Sequence, residues 1–437
     1  MNRRKFLALC GATGGVIATS GGQVLAGELP GPVAPGLFPV SPKPKHLTAL
    51  ELPKDLSWDM MTTLTCFQGL VNRTEPRLYL IDDDNDRYWL DYYADTYGVS
   101  HDKAAGAEAL LERFASELDG YVVYDPAMLD SANVATTFGA IHNLLPVSPS
   151  EIELVRGLGL DEGENFAGRW TDRYAAYEWA LETCWPACNH RLFGAACVDR
   201  PLWPSNSIWL RDYAMAHKLF TFDLSASRRD RADRDLLHSV FERVNGLGCV
   251  LGWRCVRCTE HEFVELAARS GVSALCGLNT RNLTVHAAIP KRPTPFKQHH
   301  ITREETRPVE KKVYISFMAT DGDALWSMLR MQSGRFDDPE HGEIPFAYGF
   351  LPCAWDLMPG VAAANYARKK DKDYFVVPSS GAMYTYPYFQ RNPGAYLKLT
   401  RAYMEKTDLR AAYMINWDDD HYWQDPNDPS VLHQLRR

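Results

Sequence analysis

Two acidic runs in this chain have the residue types for acid–base chemistry. "TDGD" sets Asp321 and Asp323 in a turn after an apolar run, and "NWDDDHYW" sets Asn416, Trp417 and the carboxylates Asp418 to Asp420 after another. Two carboxyl groups facing one bond can serve as acid and as base or nucleophile. Between these runs lie "LPCAWD", ending in Trp355 and Asp356, and "SSGAMYTYPYF", which carries Ser380, Gly381, Tyr384 and Tyr386. Aromatic faces stack on the apolar faces of sugars, while hydroxyls and amides bind sugar hydroxyls. The pattern therefore predicts Asp321, Asp323, Asp418 and Asp419 as catalytic candidates. Trp355, Asp356, Ser380, Gly381, Tyr384, Tyr386, Asn416 and Trp417 are predicted to hold the substrate. Singly, "DGD" suits a tight turn and "DDD" a solvated loop or a helix cap; it is their recurrence at successive strand ends that suggests a site. The same oxygens suit a divalent cation such as Ca²⁺ or Mg²⁺. No cofactor is otherwise expected.

The elements that must position these residues alternate regularly. "KVYISFMATDGD", "PFAYGFLP", "DYFVVPSSG" and "AAYMINWDDD" read as strands, separated by the helices "ALWSMLRMQSG", "PGVAAANYARKK" and "PGAYLKLTRAYMEK". Repeated strand–helix steps make a parallel sheet or a (β/α) barrel, and the loops after the strands gather at one face. Residues 312–437 are thus expected to form a C-terminal (β/α) barrel-like domain, left incomplete because the sequence stops in its fourth step. Upstream, 46–145 and 146–290 also alternate helix and strand and read as an N-terminal α/β domain and a middle α/β region. The polar stretch 291–311 reads as a linker. In the middle region "SIWLRDYAMAHKLFTFDL" reads as one helix, and "GCVLGW" as a buried strand. Glu260 and Glu262, shortly after it, read more readily as surface residues than as part of a cleft.

Composition narrows the function classes. With 437 residues the chain is long enough for several domains, and its 46% apolar and 23% charged residues are globular values. A net charge of −8, not concentrated in a block, argues against nucleic acid as a partner. The start, "MNRRKFLAL", pairs Arg3 with Arg4 ahead of a short Gly-rich apolar stretch and small residues suited to cleavage after Ala26. Residues 1–26 therefore read as a twin-arginine signal peptide, with the export machinery as a partner and a periplasmic or extracellular destination. Residues 27–45 read as a Pro/Gly-rich linker. No later apolar run is long enough for stable membrane insertion. "CVRC" (Cys255, Cys258) and "CWPAC" (Cys184, Cys188) have spacings that could hold zinc, with disulfides or buried thiols as the more ordinary reading.

"GAMYTYP", with Gly381, Tyr384, Tyr386 and Pro387, resembles the naming motif of the GxGYxYP putative glycoside hydrolases; Met383 stands where that motif has its second glycine. "CFQGLVNRTEPRLYL", "VLGW", "NLTVH", "TDGDALW" and the run before "GAMYTYP" resemble further segments of the family, so the likeness spans about residues 60 to 430. Ala324 stands where the family has Asn. The resemblance implies a carbohydrate-active hydrolase, which the reading of residues 1–26 makes an exported one, but it brings no catalytic pair with it. The alternatives are a metal-assisted carbohydrate hydrolase such as a deacetylase, and a non-catalytic glycan-binding protein or inactive remnant on the same scaffold.

Overall fold

The computed structural model describes residues 36–198, 208–253, 256–291, 295–319 and 325–415. The leader, Cys255, Asp321, Asp323, and everything from Asn416 onward lie outside the described residues.

Four parallel sheets follow one another along the chain. In the first, β1 (His46–Glu51) lies between β2 (Leu78–Ile81) and β3 (Ser100–Lys103). In the second, β4 (Gly120–Val123) lies between β5 (Leu144–Val147) and β6 (Glu162–Asn165). The boundary drawn from sequence at 145/146 falls inside this second sheet. In the third, β7 (Leu192–Ala195) lies between β8 (Phe220–Phe222) and β9 (Gly248–Gly252), and β10 (Val272–Cys276) pairs with the far side of β9. The earliest strand is flanked on both sides each time, as happens when successive right-handed crossovers leave it in opposite directions.

The fourth sheet has the order β11 (Met318–Ala319), β12 (Phe346–Gly349), β13 (Asp373–Val376). A parallel bridge between Val377 and Ala412 extends it. Among the described residues the C-terminal strands form a parallel sheet without a closed barrel. One expectation is corrected. The strand read into "KVYISFMAT" is paired only at Met318–Ala319; Val313 is 88% exposed, and Tyr314, Ile315 and Phe317 are exposed beside it. Strand-forming side chains do not make a strand where no neighbour offers hydrogen bonds.

Local signals set the helices between these strands. Ser57 caps Trp58–Val71 by accepting from the Met60 N–H at 3.1 Å. Asp83 and Asp86 form a reciprocal capping box on Asp84–Tyr97. "SIWLRDYAMAHKLFTFDL" divides: a helix spans Arg211–His217, Lys218 turns left-handed at φ 56°, and the chain enters β8.

The domains share their cores. One cluster joins the first sheet to the C-terminal helices, with the Trp89 indole N–H donating to the Leu329 carbonyl at 3.1 Å. Nearby, the buried Arg281 reaches Asp86 at 2.6 Å, Asp83 at 2.5 Å and Asp82 at 3.1 Å, and Arg330 meets Asp83 at 2.9 Å. A second cluster joins the second and third sheets and takes in Tyr384 and Tyr386.

Candidate active site

Because the fourth sheet is parallel, Ala319, Gly349, Val376 and the segment reaching Ile415 all finish at one end of it. After β13 the chain turns through three positive φ values in succession, Ser379 at 32°, Ser380 at 80° and Gly381 at 139°. Two of them are non-glycine, a strained conformation that surrounding bonds must hold. The Ser380 N–H donates to the Tyr413 carbonyl at 2.8 Å. Its hydroxyl accepts from the Ile415 N–H and donates to the Ile415 carbonyl, both at 2.9 Å. Ser380 thus imitates a strand neighbour for the residue directly before Asn416. The expected catalytic Asp321, Asp323, Asp418 and Asp419, with Asn416 and Trp417, lie outside the described residues.

Gly381 has no room for a side chain. A Cβ there would come within 2.7 Å of both the Tyr396 hydroxyl and Thr400 Oγ1. Those two groups hold the loop: the Tyr396 hydroxyl donates to the Met383 carbonyl at 2.5 Å, and Thr400 Oγ1 accepts from the Ala382 N–H at 3.0 Å. Met383 is buried in the core shared with the first sheet, so the side chain that replaces the motif's second glycine is accommodated by packing.

From Met383 the loop crosses to the third sheet. Tyr384 and Ala274 exchange backbone hydrogen bonds of 2.8 and 2.9 Å, adding one antiparallel bridge to the edge of β10. The rings of Tyr384 and Tyr386 are 2% and 0% exposed. They do not line an open rim as their place in the sequence suggests; they plug the C-terminal domain into the third. Tyr384 stacks on Trp253, centroids 6.0 Å apart and planes 15° apart. Tyr386 stacks on His261 at 5.6 Å, and the Arg269 guanidinium covers Phe389 at 4.2 Å.

The phenol of Tyr384 has a polar task. It donates to Oε1 of Glu260, and the Tyr386 hydroxyl lies 3.5 Å from it. Burial, then the neighbouring Tyr386 and Glu260, push the Tyr384 phenol far above its ordinary range, so it keeps its proton. Two local features bring Glu260 there. Gly252, at φ 121°, passes so close to the Ala195 carbonyl that a Cβ would lie 2.0 Å from it, and this turns Trp253 out of β9. The helix Glu260–Arg269 then starts on a Thr259–Glu262 capping box. Glu262 is occupied by that box and by the Arg228 N–H at 2.9 Å. Glu260, one position inside the helix and half-buried, faces the motif. Sequence reading favoured the surface for both residues; the only local hint was two glutamates on one first turn, of which a capping box uses one.

Trp355 and Asp356 are drawn elsewhere. Trp355 packs on Phe296 at 4.9 Å beneath Lys291, whose Nζ lies 3.7 Å from the ring centroid, and Asp356 accepts from the Tyr403 hydroxyl at 2.9 Å. These contacts border the core shared with the first sheet, not the cluster that holds Tyr384 and Tyr386. Among the described residues no group of three or more His, Cys, Asp or Glu could hold a metal ion. Cys184 and Cys188 are buried free thiols. No helix among the described residues is long and apolar enough to cross a membrane.

Comparison with known proteins gives consistent matches. The model of the GxGYxYP putative glycoside hydrolase C-terminal domain matches residues 311–434. Models of the first, second and third N-terminal domains that accompany it match residues 51–116, 118–188 and 195–288. The crystal structure of a putative hydrolase from Bacteroides thetaiotaomicron VPI-5482 shares the fold, with a TM-score of 0.73 at 22% identity, over 90% of this chain and 73% of that one. No curated protein matches.

Proposed function

Since the chain belongs to the GxGYxYP putative glycoside hydrolase family, we propose that it is an exported hydrolase that cleaves a glycan at the C-terminal end of its fourth sheet. The observation that carries this reading is the parallel sheet whose ends at Ala319 and Ile415 directly precede the acidic runs. Parallel α/β sheets bind ligands at that end. In this reading one of Asp321 and Asp323 and one of Asp418 and Asp419 act on the glycosidic bond. One protonates the leaving oxygen while the other assists attack at the ring carbon. Arg3 and Arg4 direct the folded protein out of the cytoplasm. Ca²⁺ or Mg²⁺ on the same carboxylates is the metal-assisted version.

The test is release of reducing ends or 4-nitrophenol from a panel of polysaccharides and 4-nitrophenyl glycosides, with D321N, D323N, D418N and D419N alongside. The proposal expects turnover by the wild type and a loss of about 10²–10⁴-fold in one variant from each run. Glycan binding by calorimetry without turnover would make the protein a binding module. Sensitivity of turnover to EDTA would select the metal-assisted version.

A further inference from the structure

We infer that the buried junction around Arg281 is an acid-tightened latch, which docks the first domain onto the third and the C-terminal domains and docks it more firmly when a proton enters its group of carboxylates. Three parts of the chain meet there. Asp82, Asp83 and Asp86 follow β2 in the first domain, at the start of the helix Asp84–Tyr97. Arg281 lies in the loop after β10, in the third domain. Arg330 ends the helix Leu325–Arg330, in the C-terminal domain. Every guanidinium nitrogen of Arg281 has its own carboxylate. Nε donates to Asp86 at 2.6 Å, Nη2 donates to Asp83 at 2.5 Å, and Nη1 lies 3.1 Å from Asp82. Arg330 donates at 2.9 Å to the same Asp83 oxygen that Arg281 uses. The Arg281 guanidinium also lies 5.3 Å from the ring centroid of Trp209.

The charges do not balance. Three carboxylates face two guanidinium groups, so the fully ionised junction holds one surplus negative charge. Water reaches it poorly, for Arg281 is 5% and Asp86 3% exposed. A buried surplus charge is relieved by a proton, and Asp86 is the member placed to take it. Its Oδ2 accepts from Arg281 and from the N–H groups of Asp82 and Asp83, at 3.0 and 3.2 Å. Its Oδ1 can therefore carry the proton while those bonds are kept. Burial raises the Asp86 carboxyl to about 6 against the pull of Arg281, and the charge of Asp83 adds to the rise. At Asp83 burial is outweighed by Arg281, and the carboxyl stays below its ordinary range.

The other groups that face the junction do not change charge near pH 6. Tyr79, from β2, donates to the Asp86 carbonyl at 2.9 Å, and burial keeps its phenol protonated. His286, from the third domain, is held down at about 3 by burial and so is neutral. Tyr93, whose hydroxyl lies 2.5 Å from His286, keeps its proton for the same reason as Tyr79. The sign follows from Asp86. A carboxyl raised from 3.8 to about 6 in the docked state stabilises docking fully below 3.8, and that contribution is lost as pH rises through 6.

The experiment is hydrogen exchange followed by mass spectrometry on the whole protein, in steps from pH 5 to pH 8, with each rate corrected for the intrinsic rate at that pH. Peptides from Asp84–Tyr97 and Leu325–Arg330 are expected to be about tenfold better protected at pH 5 than at pH 7. The helix Arg173–Thr183 belongs to the other core cluster and is expected to change less than about twofold. D86N replaces the carboxylate by a neutral amide of the same shape and is expected to abolish the difference. R330M leaves three carboxylates with one guanidinium and is expected to move the change to higher pH. A wild type with equal protection at pH 5 and pH 7 would overturn the inference. So would an equal change in Arg173–Thr183, which would make the effect one of global stability. D86N keeping the wild-type difference, or R330M leaving its midpoint in place, would overturn it as well.

Discussion

Replacing Gly381 by alanine tests whether the motif's first glycine is required by space as well as by dihedral angle. At φ 139° an L-residue is strained, at about 1–3 kcal/mol. The new Cβ would lie 2.7 Å from both the Tyr396 hydroxyl and Thr400 Oγ1, so the loop must shift, at a further 1–3 kcal/mol or about that. Moving either group weakens its hydrogen bond to Met383 or Ala382, each worth about 1 kcal/mol. The sum is about 3–8 kcal/mol, or at least about 10 °C in the melting transition of the affected domain. Gly394 is the control. It opens a helix, a Cβ there meets nothing within 4 Å, and G394A is expected to be neutral or to stabilise by about 0.5–1 kcal/mol. Thermal melts of both variants, followed by circular dichroism and by Trp fluorescence, give the comparison. A G381A melt within about 2 °C of wild type would show that Tyr396 and Thr400 yield freely, and would refute the steric argument.

Further outcomes follow from other parts of the structure. Burial pushes the Asp86 carboxyl up to about 6 despite Arg281, from an ordinary 3.8. A raised carboxyl stabilises the fold below its unfolded value and loses that contribution as pH rises through 6, so D86N should flatten the stability profile between those two values in urea titrations. M383A should cost about 2–5 kcal/mol by emptying a core position, measured as a lower urea midpoint with unchanged slope. Burial raises the Cys66 thiol to about 11 and Cys184 to about 12, and Cys249 and Cys353 are buried with them. Mass mapping after brief thiol labelling of the native protein should therefore find these four unmodified, and modified only after denaturation. S380A should lower stability by about 1–2 kcal/mol by removing both bonds to Ile415.

What could be read from sequence and what could not divide along the range of the interactions. Alternation of apolar runs and caps was enough for helices such as Trp58–Val71 and for the parallel α/β character, because those signals lie within one turn or one strand. "KLFTFDL" misled because a short buried apolar run fits a helix face or a strand equally, and the left-handed Lys218 that separates them is not a glycine. "KVYISF" misled in the other direction, its β-prone residues having no neighbouring strand to bind. The aromatic run after β13 stands out in the sequence, but the burial of Tyr384 and Tyr386 depends on β10, far upstream, and no local pattern reports that. Glu260 is hidden for the same reason: its partner is 124 residues away.

That separation has a consequence for how the molecule assembles. In each of the first three sheets the hydrogen-bonded neighbours come from successive crossover units, so every module can form from a contiguous stretch as it leaves the ribosome. The step that seats Tyr384 beside Ala274 and Glu260 has to wait until both modules exist. It is a docking event with high contact order, expected to form late and slowly. Stopped-flow refolding should show it as a final phase in Trp253 fluorescence, after the far-ultraviolet signal has recovered.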